Sequence, residues 1–393
     1  MEEAREGFGK PGAGRALLLA TFALAVNFWA WNLLSPLVPT YRSLLQLSPL
    51  QAGLLAAVPT LVGALARIPV GALTDRFGGR VVFAAVTAAA IPPVLLLATA
   101  ESYATLLAGG LLLGVAGASF AVGVPFLTAW IPPKRRGVAL GIYGMGNGGT
   151  AIAGFTAPAM AERFGIAAPY VVVAVALAAT AFAWILLARD APARVASTES
   201  MFTRTLAALR LPIARDLALL YAITFGGFVA MGVYLPTFLT EVYELTFADA
   251  AARAAGFIAV ATLSRPVGGA LSDRYGGARV LLFALVAIGV GAIVTAFEPV
   301  IAAATVGFLL VAAAMGVGNG AVFALVGSRA PAAMVGSVTG LVGAMGGLGG
   351  FLPPIMMGLV YQATGSYAIG LMLLSDVAFA GAVYTAWRVL RQP

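Results

Sequence analysis

Apolar residues fill this chain in long blocks, each close to the roughly 20 residues a helix needs to cross the hydrocarbon of a bilayer. Twelve blocks can be marked, near 16–38, 51–73, 81–100, 103–130, 137–160, 168–188, 216–240, 254–271, 279–297, 300–327, 334–360 and 367–388. The longest polar connection, 189–215, divides them six and six. The pattern predicts an all-α integral membrane protein of twelve transmembrane helices in two six-helix bundles: an N-terminal bundle over 1–188, a cytoplasmic linker over 189–215 and a C-terminal bundle over 216–393.

Composition agrees, with 61% of the 393 residues hydrophobic and 10% charged. The location of the charges says more than their sum. Of 23 Lys and Arg, 18 fall on the side of the N-terminus, three on the other side (Arg42, Arg163, Arg253) and two inside spans. By the positive-inside rule both termini are expected in the cytoplasm, in a multi-pass protein of the cell inner (plasma) membrane. The apolar run from Ala16 is too long for a signal-peptide core and reads as an uncleaved first span. No basic tract with interleaved aromatics suggests nucleic acid as a partner. Cysteine and histidine are absent, so no thiolate or imidazole metal site is expected. Nor is any cofactor or enzymatic activity, for want of a nucleotide loop or nucleophile constellation. The chain is expected to work as a monomer in the lipid bilayer.

The two halves repeat each other. ARIPVGALTDRFGGR recurs as SRPVGGALSDRYGGAR, which sets Arg67 over Arg265, Gly71 over Gly269, Asp75 over Asp273 and Gly78 over Gly276 at an offset of 198. IPPKRRGVALGIYGMG aligns with APAAMVGSVTGLVGAM at 199. A duplicated six-helix ancestor explains both. The two loops resemble the signature loop of the major facilitator superfamily, and the twelve spans and the duplication extend that resemblance over the whole chain. The resemblance implies that Asp75, Arg76, Asp273 and Arg274 are gating and structural charges at the cytoplasmic ends of helices. Interfacial charges that cap and anchor helices are the plainer reading of the same residues.

Arg67 lies eight residues before Asp75, about 12 Å into a hydrocarbon core about 30 Å thick. Arg265 bears the same relation to Asp273. An arginine at that depth is unfavourable by about 2.5–3.5 kcal/mol even on the mildest scale. Snorkelling serves residues within a turn or two of the surface. Structural ion pairs need buried carboxylates, and only Asp376 of the fifteen acidic residues falls inside an apolar run. The remaining reading is an anion as ligand, gripped by guanidinium forks that offer paired hydrogen bonds to two oxygens.

Glycines are dense in the fifth span, GIYGMGNGGTAIAGFTAP, and in its counterpart, GLVGAMGGLGGFLPP. On packing grounds they let helices approach and slide. Gly144, Gly146 and Gly148 around Asn147, and Gly343 and Gly346 in the eleventh span, resemble the paired signatures of the nitrate/nitrite porter family. So do the two arginines, GASFA at 117–121 and LYAITFGGF at 220–228. That resemblance implies that Arg67 and Arg265 hold nitrate or nitrite, that Asn147 donates to it, and that Phe120, Tyr221 and Phe225 wall it. A small, flat anion with delocalised electrons suits forks in its plane and rings above and below. The alternatives are packing for the aromatics and interhelical glue for Asn147. Asn319, Trp31 and Asn32 are further candidates.

Alternating access between the halves is the expected mechanism. With no histidine and few buried carboxylates, exchange of nitrate for nitrite is favoured over proton-coupled symport. A carrier of organic anions or sugar phosphates would want a third basic residue, and an exporter of lipophilic cations an embedded carboxylate. Outside the carrier class, an anion channel or sensor would lack counterflow.

Overall fold

The computed structural model describes residues 11–192, 199–364, 366 and 368–392. The N-terminal segment 1–10 and residues 193–198 of the linker lie outside the described residues. Among the described residues, eleven of the expected spans are helical stretches long and apolar enough to cross a membrane. The fifth is helical too, but it is built from two helices, Arg136–Gly144 and Gly149–Phe164, joined by a 3-10 turn at Met145–Gly148. With glycine at three of the five positions 144–148, little side-chain packing opposes this change of winding.

Elsewhere local sequence sets the helix ends. Ser48 and Gln51 cap the second span, Pro49–Phe77, reciprocally, with Pro49 at its start. It ends at Gly78 with φ +90°, and the helix Arg265–Tyr275 ends alike at Gly276 with φ +88°, a left-handed geometry that glycine adopts without strain. The second span continues through Pro69. The eighth does not: Phe247–Leu263 stops and Arg265–Tyr275 begins with Pro266 in its first turn, whose missing N–H cannot continue the ladder. Arg265 therefore sits at a helix start, whereas Arg67 sits in mid-helix. The fourth span also changes winding, with a 3-10 stretch Gly114–Ser119 between Tyr103–Leu113 and Phe120–Trp130.

The chain forms two compact units. The first gathers Met1–Pro133, Met145–Leu211 and Ala330–Ala344. Its core includes Leu33, Leu97, Leu106 and Leu177, and the hydroxyls of Tyr41 and Tyr170 meet there at 3.1 Å. A Cβ on Gly71 would fall within 2.1 Å of the Gly336 carbonyl oxygen, so the second and eleventh spans touch backbone to backbone. The helix Met201–Arg210 of the linker packs on the second span in this unit.

The second unit gathers Lys134–Gly144, Pro212–Arg329 and Met345–Pro393. A Cβ on Gly269 would fall within 2.0 Å of the Gly137 carbonyl oxygen, the same contact at the matched position. Asp216, at the start of the seventh span, is buried and receives Arg388 at 3.1 Å and the Tyr384 hydroxyl at 2.7 Å. Large apolar side chains such as Phe22, Phe182 and Phe283 are more than 60% exposed, a surface suited to lipid.

Candidate functional site

Both deep arginines are buried, Arg67 at 1% and Arg265 at 2% exposure, so neither snorkels to an interface. In the first unit Arg67 donates Nε to the Gly117 carbonyl at 3.1 Å and Nη1 to the Gly343 carbonyl at 2.8 Å. The Gly117 carbonyl belongs to the 3-10 stretch of the fourth span. A Cβ on Gly343 would lie 3.0 Å from Arg67 Cδ, so the glycine makes room for the arginine stem. The rings of Phe28, Trp31 and Phe120 stand 5.9, 5.6 and 5.7 Å from the guanidinium carbon, within cation–π range.

The second unit repeats the arrangement around Arg265. Its Nη1 donates to the Gly144 carbonyl at 3.4 Å, and a Cβ on Gly144 would lie 3.1 Å from its Cδ. Phe225 and Phe228 stand 5.3 and 5.7 Å from its guanidinium carbon. Phe28 and Trp31 in the first span, and Phe225 and Phe228 in the seventh, are pairs three residues apart at a common offset of 197. Tyr221 stacks on Phe225, with centroids 4.9 Å apart and planes within 7°, and its hydroxyl interacts with Arg265. Phe323 meets Tyr221 edge-on at 4.9 Å.

One difference separates the two arginines. Arg265 Nε and Nη2 are buried with no hydrogen-bond partner among the described residues, and no described carboxylate forms an ion pair with it. A buried donor left unmade costs about 1–3 kcal/mol, and more on a charged group. An anion placed there would supply the acceptors that these two nitrogens lack.

The structure thus brings Arg67 together with Phe120, and Arg265 with Tyr221 and Phe225. Asn147 is buried in the 3-10 turn, where its carbonyl accepts from Thr150 Oγ1 at 2.8 Å. Gly146 packs on Leu24 and Gly346 on the Tyr221 ring, while a Cβ on Gly148 would meet nothing within 4 Å. Trp31 Nε1 and Asn32 Nδ2 are committed to the carbonyls of Pro59 and Thr150. Asp376 is exposed on the twelfth span, and Asn319 is buried on the tenth.

The carboxylates Asp75 and Asp273, in the last turns of their helices, have a distinct setting. Asp75 accepts from the backbone N–H groups of Gly336 and Ser337 at 2.7 and 2.8 Å, from Ser337 Oγ at 2.7 Å, and from Arg204 at 3.0 Å. Arg204, on the linker helix, is buried and also donates to the Ala333 carbonyl. Asp273 accepts from the N–H groups of Gly137 and Val138, both at 2.8 Å. Each carboxylate faces the start of a helix, where backbone donors and the dipole favour negative charge. Arg76 and Arg274 lie instead over the neighbouring rings of Phe77 and Tyr275, each at 5.1 Å.

Sequence reasoning missed Arg204, whose partner is 129 positions away. It also missed the carbonyls of Gly117, Gly144 and Gly343, since a backbone acceptor leaves no mark in residue identity. The offset of 197 that relates the aromatic pairs was the available signal for Phe28 and Phe228.

The family model described as Major Facilitator Superfamily matches residues 20–354. A protein of Mycobacterium tuberculosis named a probable nitrate/nitrite transporter, NarK2, is 48% identical over 95% of this chain and 96% of its own. The nitrite extrusion protein of Bacillus subtilis is 41% identical over 94% of this chain and 93% of its own. Among solved structures, the human organic anion transporter MFSD10 superposes with a TM-score of 0.80 at 16% identity, covering 96% of this chain and all of that one. The fucose transporter FucP in an outward conformation gives 0.74 at 18% identity, over 95% of this chain and 99% of its own. At such identities the structural likeness speaks for the fold alone.

Proposed function

Since this chain belongs to the major facilitator superfamily, a family of transporters and not of enzymes, we propose that it carries nitrate and nitrite across the membrane by alternating access, with Arg67 and Arg265 as the anion's ligands. The observation that carries the reading is Arg265: a guanidinium fully withdrawn from water, with two nitrogens left without hydrogen-bond partners among the described residues. The names of the relatives at 48% and 41% identity support the choice of anion. A planar anion of one charge takes two parallel N–H bonds from a guanidinium edge and leaves its faces to Phe120, Tyr221 and Phe225. Asn147 adds a donor.

Exchange of nitrate for nitrite fits the residues better than proton-coupled symport. Symport needs a group that changes its charge state during the cycle. The chain has no histidine, and the buried carboxylates Asp75 and Asp216 are each held by an arginine and other donors. In an exchanger, the bound anion compensates the arginines and permits reorientation, and the empty carrier stays put.

Counterflow in proteoliposomes tests this. Vesicles loaded with nitrite should accumulate external nitrate without any pH gradient. Uptake that requires an imposed pH gradient would replace exchange by symport, and absence of nitrate flux under both conditions would end the substrate assignment.

A further inference from the structure

Asn319 is 1% exposed in the tenth span, and neither its Oδ1 nor its Nδ2 has a hydrogen-bond partner among the described residues. Interhelical glue would show a partner on a neighbouring helix. The surroundings of Asn319 point elsewhere. A Cβ on Gly320 would fall within 2.2 Å of the Arg265 carbonyl oxygen, and one on Gly316 within 2.1 Å of the Ala261 carbonyl oxygen. The helix therefore runs directly along the segment that carries Arg265. One turn to either side, Met315 touches Gly227 and Phe323 touches Tyr221. Next to it, a Cβ on Gly318 would meet Thr224. Asn319 is thus level with Phe225, whose ring covers the Arg265 guanidinium.

The internal duplication supplies the comparison. A Cβ on Gly114 would meet the Val62 side chain at 2.5 Å and the backbone N of Gly63 at 3.0 Å, and one on Gly316 would meet the carbonyl oxygen of Ala261, the residue matched to Gly63 at the offset of 198. Three residues beyond Gly114 is Gly117, whose carbonyl takes Arg67 Nε at 3.1 Å. Three residues beyond Gly316 is Asn319. At the Arg67 site the acceptor for Nε is a fixed backbone oxygen. At the Arg265 site Nε is unpartnered, and Asn319, three residues beyond Gly316, carries an unpartnered amide oxygen.

We infer that Asn319 is a positioning residue for Arg265: its amide oxygen accepts from Arg265 Nε when the anion is bound, as the Gly117 carbonyl does for Arg67. With Nε held by Asn319 and one Nη1 proton by Gly144, the edge between Nη1 and Nη2 is turned to the ligand as a two-pronged donor. Because Asn319 is a rotatable side chain, the Arg265 site is the adjustable one of the pair and the Arg67 site the preset one. The inference rests on the reading of Arg265 as an anion ligand.

A double-mutant cycle read by nitrate-dependent thermal shift of the purified full-length protein tests it. Lysine lacks the Nε donor, so Asn319→Ala should weaken nitrate binding about tenfold beside native Arg265, about tenfold again in an Arg67→Lys background, and less than about twofold beside Arg265→Lys. Asn319→Asp should abolish the nitrate-dependent shift without lowering the ligand-free melting temperature, because the new carboxylate pairs with Arg265. If Asn319→Ala does not fold, Asn319→Ser goes through the same cycle. An undiminished effect beside Arg265→Lys, or wild-type nitrate binding in Asn319→Ala and Asn319→Asp, overturns the assignment of Asn319. Wild-type binding in Arg265→Lys itself overturns the underlying reading instead.

Discussion

The Nη1 of Arg67 donates to the carbonyl oxygen of Gly343 at 2.8 Å, and the arginine's stem occupies the space a side chain on that glycine would need. Gly144 stands in the same relation to Arg265, at 3.4 Å. These glycines do for the arginines what glycines elsewhere in the same spans do for helix contact, and the two uses have different consequences.

Adding one methyl separates them. A Cβ at Gly343 meets Arg67 Cδ at 3.0 Å, a side-chain atom that can yield, whereas at Gly71 it meets the Gly336 carbonyl oxygen at 2.1 Å. Gly343→Ala should keep a melting temperature near wild type and raise the nitrate half-saturation concentration by about three- to tenfold, through displacement of the guanidinium. Gly71→Ala should lower stability by about 1–3 kcal/mol through overpacking. Thermal melts and uptake assays on both variants check this, and a reversed order would contradict it.

The carboxylates Asp75 and Asp273 match in sequence and differ in consequence. Asp75 holds a buried cation, Arg204, in addition to a helix start, while Asp273 faces two backbone N–H groups. Asp75→Asn strands Arg204 and should cost about 3–5 kcal/mol. Asp273→Asn strands no cation; it turns one of two acceptor oxygens into a donor facing an N–H and should cost about 1–3 kcal/mol. Melting temperatures of the two variants should therefore fall unequally, with equal falls as the contrary result.

The ring of Phe225 stacks on Tyr221 and stands 5.3 Å from the guanidinium carbon of Arg265. Phe225→Leu keeps the volume nearly constant and removes the π face. It should weaken nitrate binding by about 0.5–2 kcal/mol, and Phe225→Trp should retain most of it. Calorimetric titration of both variants distinguishes this from simple packing, in which leucine would be tolerated better than tryptophan.

Much of this was legible in the sequence, for reasons that can be located. The bilayer imposes block lengths, so the spans could be marked, and the duplication set Arg67 over Arg265 before either was seen to be buried. The break in the fifth span was less visible, because 3-10 winding at Met145–Gly148 depends on the absence of side chains more than on any signal residue. The inequality of Asp75 and Asp273 was hidden for another reason: it is created by Arg204, outside the duplicated segments. The distinction between the two arginines lay deeper still, since it turns on the carbonyl of Gly117 and on which groups around Asn319 and Arg265 go unpartnered.

Equilibrium titration of nitrate into purified wild-type protein, Arg67→Lys, Arg265→Lys and the exposed linker variant Arg210→Lys tests the anion site most directly. Lysine keeps the charge and loses the fork, so affinity should fall about tenfold or more in the first two variants and stay at the wild-type value in the third. Wild-type affinity in either Arg67→Lys or Arg265→Lys would contradict the account.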